Sequence, residues 1–368
     1  MFRSHAWKRF AALSVLALSF ATLAGAQSAN VSVFASGFNN PRGLKFGPDG
    51  YLYVAEGGAG GTLSTVGKCP QAAGLPDGPG PYTGGFTARI SRVDARGNVS
   101  TVAEDLPSSQ TSPAFGNLTS GVADVAFFRG QLYALLAGAG CSHGLLGTSN
   151  GVLRIKSNGT WKEIANLSHF QMTHLVANPN PGDFEPDGTW YSMVSARGLL
   201  YAVEPNHGEL DSISTDGDIH RVVDISASQG HIVPTALAYH DGNFFVGNLD
   251  TFPIVPGASK ILKISPSGYI STFATGLNTI LGLVFDDEDN LYVLENTVGA
   301  PGPMPGFAKV LRISEDGKVT EIAAGLNLPT GITLGPDGNL YVSNYGFGYP
   351  PNGSGQILKI TLHDCPED

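Results

Sequence analysis

The sequence predicts an all-β protein folded as one six-bladed β-propeller. Three observations predict it: a short phrase returns six times, each return sits in a unit of four short strands, and the N-terminus supplies the strand that the last unit lacks. The phrase is a turn followed by a Leu-Tyr-Val-like run, anchored at Leu52, Leu132, Leu200, Phe244, Leu291 and Leu340.

The elements follow in chain order. Residues 31–38 align with 271–277, a fourth strand and its exit turn, and so belong with the last unit rather than the first. Tight turns join first to second strands at 47–50, 129–131, 196–198, 240–242, 286–290 and 335–338, and Gly335-Pro336-Asp337-Gly338 has Pro and Gly where turn geometry wants them. Third strands read most clearly at 260–264, 309–313 and 356–360, and fourth strands at 269–274 and 319–323. The last unit offers 329–334, 340–343 and 356–360, then stops at Asp368 without a fourth strand. Closing the ring with 31–38 leaves no blade edge open to a stranger.

Residues 1–26 read as a cleavable signal peptide: Arg3, Lys8 and Arg9, an apolar run from Phe10 to Ala24, and the small-residue site Ala24-Gly25-Ala26. The apolar run is too short to span a bilayer. A single domain over 27–368, periplasmic or secreted, is the expectation. The chain has 21 Lys and Arg against 31 Asp and Glu; the leader takes three of the basic residues and none of the acidic ones, leaving a net charge of −13. Such a surface disfavours nucleic acid and anionic membrane as partners. Charged residues are 14% of the chain and glycines number 49, the balance that many short strands and turns produce.

Cys69 and Cys141 occupy corresponding loops of the first two blades, so a disulfide can join neighbours in an oxidising compartment, leaving Cys365 over. No Cys-x-x-Cys supports a zinc or thioredoxin reading.

Loop lengths choose the working face. Second-to-third-strand loops are long at 57–87, 137–150, 249–258, 296–307 and 345–355, and alternating strand direction brings them all to one face with the starts of the innermost strands. A small molecule or a protein is the partner expected there. Four positions after each anchor stand Glu56, Leu136, Glu204, Asn248, Glu295 and Asn344. Converging on the axis, Glu56, Glu204 and Glu295 are candidates to hold a divalent cation such as Ca²⁺; equally, these side chains suit bonding to their own loop backbone. The inner-strand starts add Asn40, Arg42, Asp124, Trp190, Tyr191, Thr235, Asn278 and Thr330 as a candidate channel mouth. Arg42 can hold a carboxylate or phenolate there, or pair with Glu56 or Asp124.

Tyr82, Phe86, Phe252, Phe307, Tyr345, Phe347 and Tyr349 lie in the same loops, where they can stack on a planar ligand, anchor a protein or pin the loops down. Residues 167–189 break the repeat and bring His169, His174, Asp183, Glu185 and Asp187 close in sequence, reading better as a plug or lid beside the third blade than as a metal site. Gly147-Thr148-Ser149-Asn150-Gly151 matches Gly-x-Ser-x-Gly but leads into a third strand rather than a strand-to-helix elbow. His143, His207 and His231 lie in or near the same loops without a nucleophile paired to them by sequence.

Three stretches carry a family likeness: 40–56 with Asn40-Pro41-Arg42-Gly43-Leu44, 233–253 with Asn248-Leu249-Asp250-Thr251-Phe252-Pro253, and 328–344. They resemble the ScyD/ScyE family, exported proteins encoded beside the genes for scytonemin, a sunscreen pigment made outside the cytoplasm. The resemblance runs over nearly all of the chain after the leader. It implies an exported, NHL/TolB-like six-bladed ring with a role in late steps on an aromatic product. It brings no catalytic residues, and Cys69 stands alone where family members are expected to show two cysteines. Two functions follow: a ligand- or partner-binding propeller without chemistry of its own, or an enzyme resembling the lactonase, gluconolactonase or lyase propellers, using a channel cation to polarise a carbonyl of an extracytoplasmic, aromatic metabolite.

Overall fold

A computed structural model describes residues 26–74, 78–114, 116, 118–300, 302–346 and 353–362. Residues 1–25 of the expected leader, Phe347, Tyr349 and Cys365 lie outside the described residues. The strands form six antiparallel sheets, one per predicted unit, in a six-bladed ring.

Each second strand is buried along its length, as in Leu52–Glu56, Leu291–Glu295 and Leu340–Asn344, because a blade in a ring is covered on both faces by its neighbours. The anchors are therefore core residues, with Leu52, Leu200, Phe244, Leu291 and Leu340 fully buried. Six apolar clusters sit at the six blade junctions. Leu153 and Val125 of the second blade pack with Ile90 of the first, for example, and Val310 of the fifth with Leu358 of the sixth. Fourth strands form the rim and are the more exposed, as Ile270–Leu277 is, with Leu277 its one buried residue.

The turns between first and second strands use one device three times. Asp49, Asp286 and Asp337 accept from the hydroxyls of Tyr53, Tyr292 and Tyr341 at 2.8, 3.1 and 3.0 Å, tying the turn to the residue after the anchor. Left-handed Gly50 and Gly338 close the turns of the first and sixth blades at φ 79° and 74°.

Val31–Phe38 pairs with Gly355–Ile360 in the sixth blade, with Val31 opposite Ile360 and Val33 opposite Leu358. Asn30 Nδ2 donates to the carbonyls of both Ile322 and Thr361 at 3.2 Å, fastening this strand to the fifth and sixth blades together.

The first blade departs from expectation. Its third strand begins at Thr83, inside the loop assigned to 57–87, because Thr83–Val93 and Val99–Gln110 make an extended hairpin in which Thr83 faces Gln110. Thr119–Ser120 adds a fifth strand to that sheet. The irregular stretch after the second blade begins with a helix, Leu167–Thr173, capped by the Asn166 side chain on the His169 amide. Since it links a fourth strand to the next inner strand, the insertion crosses the long-loop face.

Candidate functional site

The ring of residues at the ends of the second strands forms a set of latches. Glu56 Oε2 accepts from the Asn39 amide at 2.7 Å, Glu204 Oε1 from Thr189 at 2.9 Å, Glu295 Oε1 from Asn278 at 2.7 Å and Asn344 Oδ1 from Asn327 at 2.8 Å. In the fourth blade Asn248 reverses the polarity, donating to the Ile232 carbonyl at 2.9 Å. Each side chain thus holds the crossover that leads into its own blade's inner strand, which is why a polar residue recurs where a strand ends. The second blade has Leu136 at this position.

A divalent cation needs several oxygens free to face it. Here Glu56 Oε1 already accepts from Arg89 Nε at 2.6 Å and from Ser91 at 2.5 Å, Glu204 Oε2 accepts from the His207 amide at 2.6 Å, and Glu295 Oε2 lies 3.8 Å from Lys309 Nζ. Among the described residues no three Asp, Glu, His or Cys side chains converge as a metal cage. The three glutamates do not suit a shared ion as they stand.

The inner-strand starts do come together, and they stopper the axis. Tyr191 of the third blade reaches across to the sixth, its hydroxyl donating to the Thr330 carbonyl at 3.1 Å. Arg42 bonds the Thr119 carbonyl and also lies against Tyr191. Burial lowers the Arg42 guanidinium, while Tyr191 is pushed up to about 12, chiefly by burial and against the pull of Arg42. Asp124 Oδ2 accepts from the Met193 amide at 2.8 Å and from Ser192 at 3.1 Å; burial raises its carboxyl.

Thr235 and Thr330 stitch neighbouring blades, donating to the Ile280 and Pro41 carbonyls at 2.6 Å each. Asn40, at φ 51°, donates to the Gly58 carbonyl at 2.9 Å. Asn278 Oδ1 accepts from the Gly257 amide at 2.9 Å, and Trp190 belongs to the core between the second and third blades. At this level the channel leaves a cavity of about 20 Å³, room for about one water molecule. Arg42 is therefore a structural cation in the closed axis, facing Tyr191 rather than Glu56 or Asp124.

The insertion is pinned by a buried network that sequence reasoning did not assemble. Tyr82 and Thr189 both donate to Glu185, and the Tyr82 ring lies 4.9 Å from that of His143. His143 bonds Ser109 Oγ through Nδ1 at 2.8 Å and the Gly188 carbonyl through Nε2 at 3.1 Å, so Nε2 carries the proton and Ser109 donates. Burial holds His143 down to about 4, leaving it neutral near pH 7, and raises Glu185 well above the carboxylate range. Ser109, His143 and Glu185 have the residue types of a hydrolytic triad, yet Ser109 and His143 are 1% and 0% exposed, so no substrate reaches the hydroxyl in this conformation. Asp187 accepts from the Ser142 amide and hydroxyl at 2.7 Å each, and Asp183 meets His231 at 2.9 Å. The acidic residues of 183–187 thus serve separate partners rather than converging on one point.

Beside the insertion, the third blade buries Glu209 and Asp211. Arg221 bonds one oxygen of Glu209, but the other oxygen and both of Asp211 lack partners, so burial outweighs Arg221 and raises Glu209 to about 7 and Asp211 well above its usual range. The folded state then keeps a proton that the unfolded chain releases above its ordinary carboxyl pKa. The resulting stability is full below that pKa and is lost as pH rises through about 7. His143 acts oppositely, since stability is lost as pH falls from 6.5 towards about 4. Because unfolded His143 is still half protonated at pH 6.5, the test is the comparison with Glu209→Gln, in which the His143 contribution cancels: the melting temperature of the parent relative to the variant is expected to fall as pH rises from about 4.5 to about 7. Parallel curves for the two proteins would remove Glu209 from this account.

Outside the stopper, the long-loop face presents apolar side chains. Leu63, Val66, Phe86 and Leu146 are 52%, 60%, 47% and 56% exposed. Leu63, Val66 and Leu146 lie on neighbouring loops and Phe86 in the adjoining strand Thr83–Val93: Leu63 and Gly84 exchange backbone bonds at 2.9 Å, Gly84 packs on Leu145, and Thr65 bonds the Cys141 carbonyl. Cys69 and Cys141 are joined by a disulfide across these loops. Phe252 is 47% exposed on the fourth blade, whereas Tyr82 is buried and Phe307 and Tyr345 are half-buried.

No protein-family model matches the chain, and no curated protein matches it in sequence. Solved structures do resemble it. A protein of unknown function from Bacteroides thetaiotaomicron superposes with a TM-score of 0.56 at 14% identity, over 91% of this chain and 76% of its own. A gluconolactonase from Xanthomonas campestris gives 0.54 at 10% identity, over 90% and 89% of the two chains. A streptogramin B lyase gives 0.50 at 14% identity, over 90% and 97%. These neighbours are β-propeller proteins, and likeness at this identity speaks to the fold alone.

Proposed function

We propose that this chain is an exported binding propeller, similar to ScyD/ScyE proteins, that engages a protein partner through its long-loop face without chemistry of its own. The observation that carries the reading is the set of exposed apolar side chains Leu63, Val66 and Leu146, on loops that the Cys69–Cys141 disulfide cross-links, with Phe86 in the neighbouring strand Thr83–Val93. Exposed apolar side chains on fixed loops are what a protein interface uses as anchors. The stoppered axis directly beneath favours a surface-to-surface contact over capture of a small molecule in the channel.

The test is chemical cross-linking of the tagged protein in the host's extracytoplasmic fraction, with Leu146→Asp alongside. The parent is expected to yield a discrete partner that Leu146→Asp loses at unchanged melting temperature. Equal capture by both would move the interface elsewhere.

The metal-dependent enzyme reading keeps one observation, the buried Glu295 Oε2 that lacks a hydrogen-bond partner. In the same preparation excess chelator is expected to leave the melting temperature unchanged. A chelator-induced drop with stoichiometric metal would favour an enzyme similar to the gluconolactonase or lyase propellers.

A further inference from the structure

At the opposite end of the axis, on the face of the short turns, a cavity of about 630 Å³ opens among the ends of the inner strands of five blades. It is built from one repeated position, the residue paired across the sheet with each anchor. Phe46, Phe127, Ser195, Tyr239 and Phe285 face Leu52, Leu132, Leu200, Phe244 and Leu291, and all five line the cavity. The aromatic members are each braced by another ring: Phe46 by Tyr341 at 5.1 Å, Phe127 by Tyr53 at 4.9 Å, Tyr239 by Phe244 at 4.9 Å and Phe285 by Phe245 at 4.8 Å. His240 also stacks on Phe285 at 4.1 Å. Such walls are set before a ligand arrives, so little ordering remains to oppose binding.

One position earlier, the blades carry Ala126, Val194, Ala238, Val284 and Thr333, and the first blade alone carries a cation, Lys45. Lys45 is half-buried and lines both this cavity and the small one above it. Among the described residues it has no side-chain hydrogen bond or ion pair. Its charge acts on Asp124, whose carboxyl group already accepts from Met193, Ser192 and Val125. Asp286 and Asp287 line the rim of this cavity: Asp286 already accepts from Asn290 and Tyr292, Asp287 is exposed to solvent, and nearby Asp289 meets His240 at 2.7 Å.

We propose that this funnel binds a small planar aromatic carboxylate, its ring against the aromatic walls and its carboxylate on Lys45 Nζ. The volume suits a small-molecule site, whose usual form is an apolar lining with a few placed polar groups. A half-buried ammonium that has no hydrogen bond or ion pair among the described residues, and whose charged neighbour Asp124 is already bonded elsewhere, can select an anion, and it does so against the net negative charge of the chain.

Calorimetric titration of the whole exported chain with 2-naphthoate tests this, with 2-naphthylmethylammonium as the oppositely charged control. The anion is expected to bind and the cation not. Lys45→Met, which keeps the length and removes the charge, is expected to weaken the anion about tenfold or more, and Phe285→Leu to weaken it less. Leu146→Asp, on the other face, is expected to leave naphthoate binding unchanged, so this site and the protein interface fail independently. A measurement on the unaltered protein guards against misfolding of the variants: naphthoate should slow acetylation of Lys45. Equal binding of both probes, full affinity in Lys45→Met, no heat at millimolar naphthoate, or unprotected Lys45 would each overturn the proposal.

Discussion

A chain lacking residues 27–37 is expected to lose its single cooperative unfolding transition, or to melt more than about 10 °C lower. The deletion removes nearly a whole strand, so the pairs from Val31 with Ile360 to Ser36 with Gln356 go, and Gly355–Ile360 becomes an open edge. It also removes fastenings to the neighbouring blade: the Asn30 bonds to Ile322 and Thr361, and the Ser28 contacts with Ala324 at 2.9 and 3.2 Å. Ala35 leaves the core shared by the first and sixth blades, where Phe38 and Ile357 lie fully buried. In a ring, losing one junction loosens the two blades beside it, which is why the effect should exceed that of deleting a rim strand from an open sheet. Calorimetry reads the outcome, and a synthetic peptide of residues 27–38 added in trans should restore part of the transition. An unchanged melting profile would mean that the ring closes elsewhere.

The repeat made the fold legible because the same physical demand returns in every blade: a tight turn, an anchor that fills a junction, and a strand covered on both faces. Leu52 and Leu340 therefore announce their place without any knowledge of their neighbours. The latch residues were visible as a series, Glu56 to Asn344, and hydrogen bonding to their own backbone was one of the two roles their position suggested. What sequence spacing could not convey was contact between distant units. Tyr191 and Thr330 are 139 residues apart and meet only because the third and sixth blades face each other across the axis. Tyr82 and Glu185 are separated by 103 residues and meet only because the insertion folds back over the first blade's hairpin.

The aromatic funnel was a different kind of omission. Its signal was in the sequence, an aromatic residue just before the turn in four of the units, Phe46, Phe127, Tyr239 and Phe285. Loop length drew attention to the other face, where chain is plentiful. A ring of short turns leaves the axis open, however, and the ends of the inner strands supply the walls.

Removing the disulfide by the paired changes Cys69→Ser and Cys141→Ser is the second large effect expected. The bridge spans 72 residues and joins the long loops of the first two blades. In the chain-entropy account, a cross-link closing a loop of that size stabilises by about 4 kcal/mol through the unfolded state. A loss of roughly 5–10 °C in melting temperature is expected for a ring of this length, and reductant on the parent should reproduce it. The loss should be local as well as global. Thr65 bonds the Cys141 carbonyl and Gln71 the Cys69 carbonyl, so releasing the sulfurs leaves those loops held by hydrogen bonds alone, and their amides should exchange faster than those of the blades. Because Leu63, Val66 and Leu146 ride on the same loops, capture of a protein partner should weaken with them, while naphthoate binding at the far end of the axis should persist. Melting within about 1 °C of the parent would show instead that the Ser142–Asp187 bonds and the Leu63–Gly84 bridge already fix these loops, and the disulfide would then be a consequence of their proximity rather than its cause.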